Sequence, residues 1–266
     1  ADSAPFPGSV VSLSKLKPDP DPGHALYSFS GGGAFNPSKD ALSVQWEYRD
    51  PVNGEWATLS EISGPVTKGE LIDNHDGTFS SNNPSYVSGT TPHTCLPPGQ
   101  YRVELFVNGH LAASATRAGA WSQLQSVPFR EAQGAVCVPE GWKPLPPRTF
   151  PGADGYVAPG GTGGAIILSI PKQAAGPILT DPQGLAKVMN DAVRGFGLAG
   201  LRPLGNPQTT PFFMSSRNGQ YREWTYQNGI VYSGVGLASN SQVYVGITYA
   251  HTENSALELF LSLSPL

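Results

Sequence analysis

The C-terminal stretch 221–266 constrains the fold of this chain more than any other segment. Its first two runs, 221–226 and 230–237, are rich in aromatic and β-branched side chains, which favour β-strands. Asn228-Gly229 stands between them, and Asn-Gly is the strongest short signal for a hairpin because both residues accept a positive φ. The stretch therefore predicts long antiparallel strands joined by a tight turn.

A third strand and a closing helix are predicted to follow this hairpin. Residues 243–250 alternate their side chains between two faces, as a strand does. Ser255 and Glu258 have the spacing of a capping box, so a helix is predicted to begin at Ser255. Its apolar stripe, at helical spacing, consists of Leu257, Phe260 and Leu261. We expect the sheet to bury that stripe.

Composition extends the β prediction to the whole chain. Of 266 residues, 32 are glycine and 26 are proline, whereas only 14% are charged, and this balance is typical of folds with many turns. The formal net charge is −4, and basic residues are concentrated in neither half. A basic face is the electrostatic requirement for binding nucleic acid, so nucleic acid is not an expected partner.

The N-terminal residues 1–24 mix proline, aspartate and serine, which predicts a Pro-rich leader or spacer. An edge strand over residues 10–16 is the alternative. The chain begins with Ala1 rather than Met, which favours a mature extracellular or periplasmic product after signal cleavage, although a trimmed fragment would look the same. No apolar run approaches the roughly 18 residues of a membrane span, so the chain is not expected to cross a membrane itself.

Residues 25–143 predict a β-sandwich. Residues 41–48 alternate well, and residues 100–107 and 110–115 flank Asn108-Gly109 in the clearest hairpin of the chain. Trp46 on an early inward strand and the late segment Pro98-Gly-Gln-Tyr-Arg-Val-Glu-Leu-Phe-Val-Asn-Gly109 resemble the immunoglobulin-like and fibronectin-like sandwiches of extracellular proteins. This resemblance implies a binding module.

A Pro/Gly-rich segment, 144–160, predicts a linker, and residues 161–266 predict a second, α+β domain. Asp181-Pro182 is a strong helix start, with Asp as the N-cap and Pro in the first turn. The expected fold class is mainly β: a sandwich followed by a curved antiparallel sheet with two helices.

The order of elements in this second half resembles the PsbP/Mog1-like α/β/α sandwich. The resemblance covers residues 160–266 and rests on an early helix, hairpins over 212–226 and 230–249, and a final helix ending at 261–264. It implies non-catalytic work as an adaptor, assembly factor or accessory protein.

The two cysteines, Cys95 and Cys137, are predicted to form a disulfide, with two buried free thiols as the alternative. Neither has ligand-spaced partners beyond His93, so no metal site is expected there. Asp73 to Asp76 faintly resembles the start of a calcium loop, but the acidic residue that would close such a loop is missing.

No catalytic constellation stands out. The chain has no Gly-x-Ser-x-Gly motif and no spaced histidine pair, and Gly160-Gly-Thr-Gly-Gly164 lacks the Lys-Ser/Thr of a phosphate loop. Carboxylates that could serve glycoside chemistry are Glu47 with Asp50, or Glu223, and each is explained more simply as a strand or turn residue. We therefore predict no catalytic residues, no cofactor and no metal.

Aromatic residues exceed what one inward-facing surface needs. A binding surface could include Trp56, Trp121, Trp142, Tyr221, Trp224, Tyr226, Tyr232 and Tyr244, and the alternative is that these rings cover the sheets. The function expected from the sequence is a secreted, non-enzymatic accessory or structural subunit of an extracellular or membrane-associated assembly, with protein partners. A carbohydrate-binding protein is the first alternative, and a hydrolase of unrecognised type is the second.

Overall fold

The chain folds into two compact units that consist mainly of antiparallel strands. The computed structural model describes residues 9–19, 24–49, 54–59, 62–82, 84–88, 100–121, 124–146, 152–176, 181–210, 213–216, 218–238 and 242–265. Described residues up to Gly119 form the first unit, here the sandwich unit, and those from Ala120 onward form the second, here the sheet unit. The predicted mainly-β class, with a sandwich before an α+β domain, is confirmed.

The described part of the sandwich unit contains the strands β1 Ser9–Leu13, β2 Lys17–Pro18, β3 His24–Tyr27, β4 Phe29–Gly33, β5 Leu42–Arg49, β6 Trp56–Thr58, β7 Gly64–Pro65, β8 Leu71–Asp73, β9 Thr78–Ser81, β10 Ser85–Ser88, β11 Gln100–Val107 and β12 His110–Arg117. They form sheets of order β1-β4-β9-β8, β10-β3-β2 and β12-β11-β5-β6, and β7 also pairs with β5.

The sandwich core follows from side-chain alternation on β5 and β11. Every second residue of β11 is buried, and Val103 lies opposite Trp46, which is 1% exposed. The hairpin predicted at Asn108-Gly109 is present, with φ of 50° and 79° at its two turn residues. Burial of each large apolar side chain stabilises the unit by about 2 kcal/mol.

The predicted Pro-rich leader is wrong for the residues that the structure describes. Residues 9–19 are not a leader, because β1 pairs with β4, β2 pairs with β3, and Leu16 is buried in the sandwich core; the edge-strand alternative is the one confirmed.

The chain changes sheets at Ser28, because β3 and β4 belong to different sheets and separate there. The hydrophobic pattern of residues 25–29 shows no break at this point, so the sequence alone does not reveal the change.

The described part of the sheet unit contains β13 Gln125–Pro128, β14 Gly134–Val138, β15 Lys143–Pro144, β16 Ala153–Val157, β17 Gly164–Pro171, α1 Lys172–Ala175, α2 Pro182–Gly195, β18 Arg202–Thr210, β19 Gly219–Tyr226, β20 Gly229–Leu237, β21 Gln242–Ala250, α3 Glu253–Leu261 and β22 Ser264–Pro265. A seven-stranded sheet has the order β15-β16-β17-β21-β20-β19-β18, and β13-β14-β22 form a smaller sheet.

Both faces of the large sheet are buried. Helix α2 packs Leu185, Met189 and Val193 on one face, against alternate residues of β21 such as Val245 and Ile247. Asp181 caps α2 as predicted, and its side chain accepts a hydrogen bond from the backbone N–H of Gln183. The helix is amphipathic, and its apolar stripe covers this face together with Leu145, Phe196 and Leu198.

The opposite face is covered by α3 together with the small sheet. Leu257, Leu259 and Phe260 of α3 pack beside Val136 of β14 and Tyr244 of β21. Here the predicted helix start is wrong by a few residues, because the N-cap is Thr252, whose hydroxyl accepts from the N–H of Ser255. A threonine three residues earlier offers the same cap chemistry, and the helix begins there.

Glu258 is consequently not a capping residue. It is 1% exposed, and its Oε2 accepts a hydrogen bond of 2.8 Å from the N–H of Ala120. A buried carboxylate bound to a backbone N–H ties α3 to the beginning of the sheet unit.

The predicted domain boundary is also wrong. Strands β13 and β14, expected in the sandwich, belong to the sheet unit, and β15 and β16, expected in a linker, are strands of its large sheet. Prolines are tolerated there because β15 is a short edge strand. Residues 147–151 of the predicted linker lie outside the described residues.

The edge strand β18 is irregular. It has nine residues, and its register shifts between Leu204 and Gln208. Residues 213–215, which the sequence places in a hairpin over 212–226, form a single 3-10 turn instead. An edge position accepts the prolines of β18, which would be excluded from a central strand.

No helix in the described part of the chain is long and apolar enough to cross a membrane.

We expect the fragment 120–266 to fold on its own and the fragment 161–266 to fail. The shorter fragment lacks β16, the hydrogen-bonded neighbour of β17, and lacks Val136 and Val138, which cover α3. Circular dichroism melting under reducing conditions should show a cooperative transition for the longer fragment only. Cooperative unfolding of the shorter fragment at a similar midpoint would contradict the boundary at Ala120.

Candidate binding site

The main cavity of interest lies in the sandwich unit, between the loop after β4 and the β8–β9 hairpin. It has a volume of ≈ 520 Å³, and its lining consists of residues 33–38, Lys68, Leu71, Asp73 and residues 77–79. Small-molecule sites usually measure about 300–1,000 Å³. The cavity is therefore large enough for a small ligand.

Local turn chemistry shapes the walls of this cavity. Gly33 ends β4 with φ of 71°, and His75 and Gly77 adopt φ of 59° and 84° between β8 and β9. Asp73 Oδ1 accepts from the N–H of His75 at 2.8 Å, and Asp76 Oδ1 accepts from the N–H of Thr78 at 2.9 Å. These carboxylate bonds fix a tight connection of the kind that Asp and Asn favour.

Two phenylalanine rings and a leucine form the apolar floor. Phe35 and Phe79 are buried, and their ring centroids lie 4.6 Å apart at an interplanar angle of 41°. Leu71 is half-buried beside them. At 6% and 3% exposed, the two rings belong to the sandwich core and offer little open surface to a ligand.

The rim of the cavity carries charge of both signs, from Lys68 and Asp73. The Asp73 carboxylate accepts a hydrogen bond from the N–H of His75 within its own turn, and it also lies 3.6 Å from Nδ1 of His75. The nearby Glu70 accepts from the N–H and the hydroxyl of Thr67, as in a capping box. Lys68 is exposed, and no acidic side chain within the described ranges forms an ion pair with it.

A second cavity of ≈ 520 Å³ lies elsewhere in the same unit. Its deep wall is formed by Tyr27, Phe29 and Trp46, and its rim includes Glu70. Burial raises the pKa of Tyr27, which also bonds to Ser85, so this hydroxyl stays protonated at neutral pH. All three rings are at most 5% exposed, so they pack in the core rather than present a stacking surface.

The calcium hypothesis at Asp73 and Asp76 gains no support from the geometry. Both carboxylates accept hydrogen bonds within the turn, and bonds from Thr78 hold the pKa of Asp76 below its usual range. In the described ranges no group of three or more His, Cys, Asp or Glu side chains could hold a metal ion. His93 lies outside these ranges.

The eight aromatic residues predicted as a surface are not gathered on one. Three of them are at most 4% exposed and pack in cores of the sheet unit, namely Trp224, Tyr232 and Tyr244. Four more are half-buried against those cores, namely Trp121, Trp142, Tyr221 and Tyr226. For these seven the alternative interpretation, that the rings cover the sheets, fits the structure better.

Trp56 is the exception, because it packs against none of the buried clusters and lies half-exposed on the outer face of β6. The guanidinium carbon of Arg102 lies 4.3 Å from the centre of its ring. The same guanidinium pairs with Glu47, which is 8% exposed. Glu47 thus has a structural partner, and Asp50 lies outside the described residues.

Glu223 lies directly opposite Tyr232 in the β19–β20 pair and bonds to its hydroxyl. Burial raises the pKa of Glu223, and the nearby carboxylate of Glu253 raises it further. Burial and Glu223 likewise raise the pKa of Tyr232. The two carboxylates repel each other in a partly dry environment, which costs stability when Glu223 is ionised.

The substitution Glu223→Gln should stabilise the protein at pH 8 and have little effect at pH 3.5. The raised pKa means that the folded state favours the neutral carboxyl, so the penalty is absent below the unfolded pKa of about 4.3 and appears as the pH rises through the folded value. The amide oxygen can still accept from Tyr232. The measurement is the thermal midpoint at both pH values.

The control is Glu140→Gln, which changes an exposed carboxylate and should leave both midpoints unchanged. A lower midpoint for Glu223→Gln at pH 8 would show that its charge stabilises the fold instead.

Cys137 is buried in β14 and is not a free thiol. Its backbone N–H donates to the hydroxyl of Ser262 at 3.1 Å. Cys95 lies outside the described residues, so the Cys95–Cys137 pairing stays a prediction.

The residues that shape the main cavity were not singled out by the sequence. Phe35 follows a glycine run and precedes Asn36-Pro37, where no alternation reveals a buried ring. Lys68 is one exposed lysine among several. The turn at residues 73–77 is the part of the cavity whose residue types carry a local signal, because Asp and Gly favour turns.

Comparison with known proteins adds no family to this description. No protein-family model matches the chain, and no curated protein matches it.

Proposed function

We propose that this protein is a secreted or surface-exposed, non-enzymatic accessory subunit of an extracellular or membrane-associated protein assembly. One observation carries the proposal. The three large apolar side chains that are most exposed in the described residues, Ile72, Leu111 and Leu204, are 42%, 40% and 46% exposed. Each lies on the edge strand of a different sheet, namely β8, β12 and β18.

Edge strands are surfaces on which extended segments of other proteins pair. An edge offers backbone N–H and C=O groups, and natural edges are protected by proline, lysine, bulges or short length when pairing is unwanted. Strand β18 carries Pro203 and Pro207 and an interrupted register, and β8 has only three residues. Prolines and a register shift therefore protect the edge at β18, and short length protects the edge at β8, against pairing with other strands.

Strand β12 is the least protected of the three edges, because it has a single bulge, between Leu111 and Ala113, and contains no proline or lysine. It is eight residues long, and between His110 and Arg117 it carries only Leu, Ala, Ser and Thr side chains. Among the described strands it pairs with β11 alone, and β1, which lies near it, forms its ladder with β4. We infer that β12 is the partner-binding edge, with Leu111 as an apolar contact.

Leu111→Lys should disrupt the assembly without unfolding the protein, because an edge lysine places a charge where a partner strand would pack. The test is native mass spectrometry of the wild-type protein and the variant, each purified from the source organism. Ala199→Lys, on an exposed loop after α2, is the matched control and should leave the complex intact. A wild-type protein that is a bare monomer, or a complex unaffected by Leu111→Lys, would contradict the proposal.

Carbohydrate binding is the second candidate, and the observation that favours it is the half-exposed Trp56 on the outer face of the sandwich unit. Arg102 lies over this ring, so a sugar could stack only on the part that remains open. Trp56→Ala should then abolish binding on a glycan array, whereas Trp142→Ala, at a ring that packs against a core, should leave it unchanged. A folded wild-type protein that binds no glycan would eliminate this candidate.

A further inference from the structure

We propose that the guanidinium groups of Arg222 and Arg194, at the face of the seven-stranded sheet that α2 covers, bind a tetrahedral oxyanion, namely a phosphate or sulfate group. The site lies in the sheet unit, whereas β12 belongs to the sandwich unit, so the proposal does not rest on the function proposed above. Its basis is one guanidinium held in place with donors to spare and a second guanidinium beside it. Within the described ranges, neither forms an ion pair with a carboxylate.

The Arg222 side chain is held in one orientation by three hydrogen bonds. Its Nε and Nη2 donate to the carbonyl of Gly205 at 2.9 and 2.7 Å, and its Nη1 donates to Oδ1 of Asn190 at 3.1 Å. The guanidinium carbon also lies 4.9 Å from the centre of the Trp224 ring. A guanidinium has five N–H donors, so one donor remains on each Nη of a preorganised planar group.

An irregularity in the edge strand β18 supplies the acceptor for Arg222. Gly205 lies within the register shift between Leu204 and Gln208, and it adopts φ of 80°. Because Gly205 is not matched with a residue of β19, its carbonyl accepts from the Arg222 side chain instead of from the ladder. Bulges commonly re-aim groups in this way, and here the bulge fixes a cation at the edge of the sheet.

Arg194 lies beside this fixed cation on helix α2. Residues four apart on a helix lie on the same face, so Arg194 is a neighbour of Asn190, which contacts Arg222. Partial burial lowers the pKa of Arg222, and the positive charge of Arg194 lowers it further. The Arg194 side chain is exposed and makes no hydrogen bond or ion pair with another described residue. The two positive charges therefore repel each other, and an anion between them would remove the repulsion.

The carboxylates nearest in sequence do not neutralise this pair. Asp191 is the one carboxylate of α2, and it forms an ion pair of 2.6 Å with Lys187, so these two charges offset each other. Glu223 follows Arg222 in β19, but adjacent strand residues point to opposite faces, and Glu223 bonds to Tyr232 on the face covered by α3. The pair of guanidinium groups thus keeps its positive charge.

The arrangement also selects the shape of the anion. A carboxylate has two oxygens, and a single planar guanidinium can engage both of them. A phosphate or sulfate group has further oxygens, so it can bond to Arg222 and Arg194 at the same time. The contacts involve its oxygens alone, so the group fits either as a free ion or as the end of a larger molecule.

A titration of the full chain with inorganic sulfate tests the proposal directly. The readout is the Nε–H resonance of Arg222 in proton–nitrogen correlation spectra at mildly acidic pH, assigned by its absence from Arg222→Lys. Sodium chloride keeps the ionic strength constant, because salt screens exposed charges. We expect a saturable shift with sulfate and weaker binding of acetate, which lacks the additional oxygens.

Methyl sulfate is the probe for an esterified ligand. Tighter binding of methyl sulfate than of sulfate, despite its lower charge, would show that the site takes the end of a larger molecule. The reverse order would show that it takes the free ion.

Two matched variants separate this site from general surface charge. Arg194→Gln should weaken sulfate binding about five-fold, as expected for the loss of one exposed charge. Arg202→Gln removes an exposed arginine of β18 and should leave binding unchanged. Arg202 pairs with Thr225, whose side chain points to the face opposite that of Trp224 and Arg222.

Three results would overturn the proposal: a shift of the Arg222 resonance that does not saturate, acetate binding as tight as sulfate binding, or the same loss of affinity in Arg194→Gln and Arg202→Gln. Both substituted side chains are exposed, so both variants should fold, and thermal midpoints equal to that of the wild type would verify this.

Discussion

Burial of both faces of the seven-stranded sheet is the constraint on which the sheet unit depends. Residues 243–250 of β21 are all buried. Because alternate side chains of a strand point to opposite faces, other segments must pack on both faces of the sheet. On one face the cover consists of α2 together with residues after it such as Phe196 and Leu198. On the other face α3 is short, and the small sheet of β13, β14 and β22 completes the cover. Segments far apart in sequence are thereby recruited into one unit.

Two glycines allow that second face to close tightly. Gly234 of β20 and Gly246 of β21 are direct neighbours across the strands. A Cβ at Gly234 would lie 2.7 Å from Phe260 and 2.8 Å from Phe213, and these two rings stack with centroids 5.5 Å apart. Glycine in a strand interior weakens the strand itself, but here it creates a flat strip on which the aromatic pair lies. The close approach explains why the middle of a central hairpin carries residues that disfavour strands.

The sandwich unit distributes its residues differently. Its core consists of Trp46, Tyr101 and the aliphatic residues of β5 and β11, and it leaves long edges and two cavities at the surface. Binding sites in such modules commonly lie on loops and edges that the rigid core positions. Leu111, the exposed apolar residue on the edge strand β12, belongs to this unit.

The sequence by itself determined the strands and turns whose signals are local. The hairpin at Asn108-Gly109 follows from positive φ at both of its turn residues, and the Asp181 cap of α2 follows from local capping. The β19–β20 hairpin follows from its two strand-forming runs, although its turn residues are 227–228 and Gly229 already pairs with Tyr226. Only the tertiary structure decided which sheet each strand joins, and it moved β13 to β16 into the sheet unit. It also decided that three of the eight predicted surface aromatics are core residues and that four more pack against the cores. Burial depends on contacts between residues distant in sequence, and a hydrophobic pattern shows that a side chain needs a cover without showing which segment provides it.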